Sequence, residues 1–256
     1  MRDLQNFFVP IHSSIEASSS GYTDSQCQAL CKIAVVDLQS YLKVQTHWNH
    51  NFGLSEKGQG DVIGKMFGVL VVQTELNQVG YIAAFSGKLA GVNQLGRFVP
   101  PVFDALTENS FLNIGMEQLN SINNEILNLN PDSADHCDEL EFLKSERRES
   151  SIALQNKLFE HYFFLNRTGK KRSLIEIFKN AGYKNPPSGA GDCAAPKLLQ
   201  FAFQNNLKPM AMGEFWWGLS PKSETWKHGR FYPSCKEKCK PILEHMLEGI
   251  DELICL

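Results

Sequence analysis

Hydrophobic patterning along this chain predicts a mixed α/β fold of the α+β kind, a layered core on a small mixed sheet interrupted by an inserted helical hairpin arm. Three observations carry that expectation. Cys27, Leu30, Cys31, Ala34, Val35, Leu38, Tyr41 and Leu42 recur at steps of three and four, the stripe of an amphipathic helix capped by Thr23 or Asp24 and running to about Gln45. Two apolar runs, Phe67–Val72 and Tyr81–Ser86, flank the polar Glu75-Leu76-Asn77-Gln78 and read as an antiparallel hairpin buried on both faces. A third run, Lys208–Gly218, reads as a strand between two helices, one opening near Asp192 and one near Lys240.

The elements divide the chain into four stretches. Residues 1–22, with Phe7, Phe8 and Val9 ahead of a Ser-rich stretch ending at Gly21, read as an extended arm and linker. Residues 23–110 form the first part of the core, with a loop punctuated by Gly53, Gly58, Gly60 and Gly64 between helix and hairpin. Residues 111–168 form the arm, helical from about Phe111 to Leu129 and from Ala134 to Leu165, and broken at Asn130-Pro131-Asp132-Ser133. Its charge-rich middle, Glu139 to Glu149, reads as a solvated face. Residues 169–256 complete the core, starting with a short helix over 173–180. Pro196 fits only if its helix starts at or just after Asp192, because the first backbone N–H groups need no internal partner. Cys193 therefore falls at a helix N-terminus, and Pro241 leaves Cys235 and Cys239 on the turn ahead of the last helix.

Composition narrows the function classes. With 256 residues, 43% hydrophobic and 21% charged, the chain is neither disordered nor fibrous. A net charge of -3 denies any strong global attraction to nucleic acid or anionic membrane and leaves only a local basic face. Seven cysteines, odd in number and unevenly placed, differ from a secreted disulfide framework and predict reduced thiols in a cytoplasm. No apolar run is long enough for a signal peptide or a membrane span, so a soluble chain without membrane contact is expected. No P-loop, Gly-x-Gly-x-x-Gly, Gly-x-Ser-x-Gly or His-Glu-x-x-His motif occurs.

Two constellations carry chemistry. Cys193, Cys235 and Cys239 sit at helix starts, where the dipole favours a thiolate, and His228 lies seven residues before Cys235. Thiolates and a neutral imidazole are what Zn²⁺ takes in a tetrahedral site, so these four residues are the candidate zinc ligands. The spacing is C-x3-C with a single pair, and three small buried hydrophobes is the competing reading. Thiol redox work by Cys235 and Cys239 is a further alternative. The second constellation spans Pro186 to Lys240, where eight basic residues face only Asp192, Glu214, Glu224 and Glu237. Lys197, Lys222, Lys227 and Arg230 would hold phosphates while Trp216, Trp217 and Tyr232 stack on unpaired bases of RNA; the competing reading is an aromatic core with solvated lysines. Adjacent tryptophans in a strand face opposite ways, so at least one packs inside. His47, Trp48 and His50 close the first helix, and Cys27 and Cys31 share a face that reads as core.

The element order resembles the cytidine-deaminase-like fold, a three-layer core in which one metal ligand opens the second core helix and two cysteines open the third. In that family a glutamate two positions after the first ligand shuttles protons; here that position is Ala195, with Asp192 and Glu214 the neighbouring carboxylates. The blocks PPSGAGDCAAPKLLQFAF, LKPMAMGEFWWGLSPKSE, KHGRFYPSCKEKCKPILEHMLEG, HNFGL, GKMFGVLVVQ, GYIAAFSGKLAG and RFVPPVFD together resemble the N-terminal region of long RluA-type RNA pseudouridine synthases, over about residues 30–250. In those proteins a downstream domain with an Arg-Leu-Asp motif carries the isomerisation, and this chain contains no Arg-Leu-Asp. The resemblance implies a non-catalytic accessory domain that assists RNA modification by binding rRNA or tRNA, or a synthase catalytic domain; a zinc-dependent deaminase-like enzyme is the alternative.

Overall fold

The computed structural model describes residues 4–19, 21–55, 59–107, 110–129 and 136–250, and the backbone of 254–255. It resolves into two compact units, residues 1–102 with 163–256, and residues 103–162. The breaker at Asn130–Ser133, the helix start at Ala134 and Gly58 lie outside the described residues.

The larger unit is mixed α/β around a five-stranded sheet of order β1-β3-β2-β6-β7. The chain enters through a single turn, α1 (Leu4–Phe7), and a short strand, β1 (Val9–Pro10). The arm expected over residues 1–22 is thus docked at its start: β1 pairs antiparallel with β3, and the buried Phe7 ring meets Phe201 edge-on at 5.2 Å. Helix α2 (Asp24–Val44) is closed at its N-terminus by a reciprocal box between Thr23 and Gln26, which satisfies two backbone donors no helical carbonyl can reach. β2 (Lys65–Gln73) and β3 (Val79–Phe85) form the antiparallel hairpin.

The smaller unit holds α3 (Phe111–Asn128), capped by Ser110, and α4 (Cys137–Glu160). Gly115 admits Leu154 closely, since a Cβ there would lie 2.6 Å from Leu154 Cδ1. Only Leu143 and Phe159 are buried on α4, in keeping with its run of charged residues.

The chain returns through β4 (Phe163–Leu165) and β5 (Lys171–Ser173), a two-stranded hairpin where the sequence predicts helix to Leu165. The turn explains the difference: Asn166 Oδ1 accepts from the backbone N–H groups of Thr168 and Lys170, and Gly169 takes φ +82°. α5 (Leu174–Asn180), α6 (Ala194–Gln204), β6 (Lys208–Trp217), α7 (Lys240–Met246) and β7 (Ile254–Cys255) follow. His245 on α7 is fixed on both sides, its Nε2 donating to the Phe164 carbonyl at 3.0 Å while Nδ1 accepts from Arg172 at 3.2 Å. That pair of bonds ties the β4–β5 hairpin to α7.

β6 runs antiparallel to β2 and parallel to β7. A register shift near Val71/Val72 accommodates Pro209, which has no N–H for the ladder. Helices cover both faces. Gly213 faces Cys31 and Val35 of α2, whereas Gly68 faces Ala194 and Leu198 of α6. Cys27 and Cys31 lie in the α2-side core with Phe67, Phe215 and Trp217.

A Cβ at Gly68 would stand 3.0 Å from Ala194 Cβ and 3.1 Å from Leu198 Cδ1, both held by the packed helix. Gly68→Val is therefore expected to destabilise the fold by about 1–3 kcal/mol through overpacking, read as a lowered urea midpoint.

Candidate functional site

Cys193 is the N-cap of α6 and Cys239 the N-cap of α7. Leu199 and the rest of the buried α6 fix the first helix against the sheet, and Pro241 within the first turn fixes where the second begins. Interaction with Cys239 holds the Cys193 thiol below the usual range, and interaction with Cys193, together with burial, pushes Cys239 well above it.

Cys235 lies on the turn before α7, exposed, its carbonyl accepting from Cys239 N at 3.1 Å and its Sγ from Lys238 N at 3.5 Å. A charge on it raises Cys239 further, so the third thiol is within electrostatic reach of the pair. His228 is placed elsewhere: its Nδ1 accepts from Gly218 N at 3.0 Å and its ring meets Trp217 edge-on at 4.3 Å. The sequence joined it to the thiols on spacing alone, and the loop carries its ring to the end of β6. Among the described residues, no three His, Cys, Asp or Glu side chains stand in an arrangement that holds a metal ion.

Beside the thiols is a carboxyl group that the strand pattern does not demand. Glu214 is 5% exposed in the middle of β6 and accepts from Ser234 Oγ at 2.6 Å and from the Ala195 backbone N–H. Burial pushes its pKa up, against those two hydrogen bonds. Residues 229–232 make this possible by running along β6, with Trp216 N donating to Arg230 O and Tyr232 N to Glu214 O, which delivers Ser234 to the carboxyl. Glu214 and Ser234 line a cavity of about 300 Å³ whose other walls are apolar, Met212, Phe231, Leu243 and Leu247 among them. In the sequence the signal was a lone carboxylate within an apolar strand; nothing pointed to Ser234.

The candidate RNA-binding residues divide by burial. Lys197 is 2% exposed, donates from Nζ to the carbonyls of Phe85 at 2.9 Å and Gly87 at 3.4 Å, and cannot meet a phosphate. Its position on α6, four residues past Cys193, turns it under the helix into the end of β3. Trp217 is likewise removed, 2% exposed in the α2-side core against Phe215, because its neighbour Trp216 takes the opposite face. Trp216 is half-buried and stacks on Trp226 at 5.3 Å, and Trp226 meets Tyr232 edge-on at 4.7 Å. Lys222, Lys227 and Arg230 are exposed on the same segment. Trp216 and Lys222 also line a second cavity of about 460 Å³ with Asp61, Ile63 and Pro221. His50, by contrast, is a strut: its Nε2 donates to the Ile63 carbonyl at 2.7 Å.

No protein-family model, curated protein or solved structure matches this chain. Among the described residues no helix is long and apolar enough to cross a membrane.

Burial lowers the Lys197 ammonium to about 8 from an ordinary 10.5. The folded chain thus binds fewer protons than the unfolded one between those values, so this group makes stability rise as pH rises through that window. Lys197→Met removes that contribution. The difference in unfolding free energy between wild type and variant should move in favour of wild type from pH 8 to pH 10, measured by urea titration under reducing conditions.

Proposed function

We propose that this chain is a non-catalytic accessory domain of an RNA pseudouridine synthase system, which contacts RNA through the segment running along β6. The observation that carries the reading is the aromatic group Trp216, Trp226 and Tyr232 with Lys222, Lys227 and Arg230 exposed around it on one loop. Rings of this kind stack on unpaired bases and the cations hold the backbone, which suits single-stranded or looped RNA. The blocks that resemble the N-terminal region of RluA-type synthases suggest the system, and the missing Arg-Leu-Asp motif is the reason to read this chain as the accessory part. The core, with helices on both faces of the sheet and cysteines opening α6 and α7, supports a cytidine-deaminase-like arrangement. The odd, unevenly placed set of seven cysteines supports reduced thiols and cytoplasmic residence.

Zinc enters as part of the same proposal. Cys193, Cys235 and Cys239 are the thiols that would hold it, brought together on binding, since among the described residues no three such side chains stand in an arrangement that holds a metal ion. His228 is not among the ligands. Bound there, zinc would lock the starts of α6 and α7 together.

Titration with single-stranded RNA at several salt concentrations tests the RNA contact. Removing a cation that neutralises a phosphate lowers the salt slope, so Lys227→Glu with Arg230→Glu is expected to weaken binding at least tenfold at low salt and flatten its salt dependence. Undetectable binding by the wild-type chain at low salt would end the RNA reading. Metal analysis of the purified chain, beside Cys193→Ser and Cys239→Ser, tests the zinc component separately.

A second reading, an enzyme acting on an amino-bearing base, is favoured by Glu214. Its carboxyl interacts with the Ala195 N–H, so a candidate proton carrier stands at the start of α6. Ammonia release from cytidine, adenosine or RNA, abolished by Glu214→Gln, would establish it.

A further inference from the structure

The cavity beside Glu214 draws on three elements, and its charge is concentrated at one point. Met212 and Glu214, two apart on β6, share the face that forms its floor. One wall is the strap along β6, with Phe231, Tyr232 and Ser234; the other is Leu243 of α7 with Leu247 just past its end. The strap is fixed, since Tyr232 N donates to Glu214 O at 3.0 Å and Ser234 Oγ donates to Glu214 Oε2 at 2.6 Å. Among the described residues, Glu214 is the one charged side chain in the lining.

A carboxylate only 5% exposed has lost most of its hydration, and a cation at close range is what best replaces it. The fold supplies a hydroxyl instead: among the described residues no Lys, Arg or His forms an ion pair with Glu214. A space of about 300 Å³ lies at the small end of ligand pockets and suits a single-ring molecule. Phe231 and Tyr232 favour a ring through edge and offset contacts, and favour a cation through their faces.

We propose that this cavity is a binding site for a small aromatic amine, a single apolar ring carrying a protonated primary amino group, whose ammonium pairs with the Glu214 carboxylate. An ammonium has three donors, so it also has one for Ser234 Oγ, whose own hydrogen is committed to the carboxylate. An uncharged molecule of the same shape gains the apolar contacts but leaves the carboxylate without its cation, and an anionic one is repelled. No bond is made or broken in the site, and neither RNA nor a metal is required.

The test is calorimetric titration of the purified chain with phenethylamine near neutral pH, beside phenethyl alcohol, which has the same ring and chain without the charge. The expected result is saturable one-to-one binding of the amine, with the alcohol weaker by about tenfold or more, and a shift of the Met212 methyl resonance as the amine binds. Glu214→Gln is expected to bring the two molecules to the same affinity, and Leu247→Trp, which fills the cavity, to abolish binding of both. Absence of saturable amine binding overturns the proposal, as does equal affinity of the two molecules for the wild-type chain or a Met212 resonance that stays in place. Those three readouts are taken on the wild-type chain and do not depend on either variant folding. RNA titration decides the accessory reading separately, since neither molecule carries a phosphate or a base.

Discussion

The pairing of β6 with β2 organises the larger unit and everything placed on it. β6 is flanked by β2 along its whole length, by β7 near Ala211 and Met212, and by residues 229–232 beyond that. An internal strand has its backbone groups satisfied by its neighbours, so its side chains are free to serve the two faces. One face gives Phe215 and Trp217 to the core under α2; the other gives Glu214 and Trp216 to the side where α6 packs. A slip of one residue would exchange those faces and place a carboxylate in an aromatic core.

The arrangement tolerates a buried carboxyl because its neighbours are fixed donors. The Ala195 N–H is one of the donors at the start of α6 that no helical carbonyl reaches, and Ser234 arrives on the segment strapped to β6. Burial without those bonds costs several kcal/mol, so the strap and the helix start are held in place by the group they serve. The same helix start carries Cys193, so the thiol pair and the carboxyl share one scaffold. The cavity beside Glu214 and the aromatic segment beyond it lie along the same edge of β6.

Much of the fold could be read from the chain because local rules decided it. The stripe from Cys27 to Leu42, the hairpin runs and the two prolines near helix starts each specify an element through periodicity or a missing N–H, and the element bounds follow closely. Reading failed where a local pattern had two solutions. Phe163–Leu165 continues the apolar spacing of α4, yet Asn166 and Gly169 turn it into a hairpin whose partner strand lies beyond the turn. Lys197 and Trp217 carry the right chemistry for RNA but sit on the inward faces of their elements, which only packing reveals.

Near-neighbour geometry, which a single chain encodes directly, settles which residues form helices and strands and where Cys193 and Cys239 stand in their helices. Packing in three dimensions was needed to establish that Cys193 and Cys239 come within electrostatic reach of each other, that His228 turns away to Gly218 and Trp217, and that Glu214 finds Ser234 and the Ala195 N–H. Those contacts join residues from α6, β6 and the approach to α7, and their partners are set by how the sheet and its covering helices pack rather than by spacing along the chain.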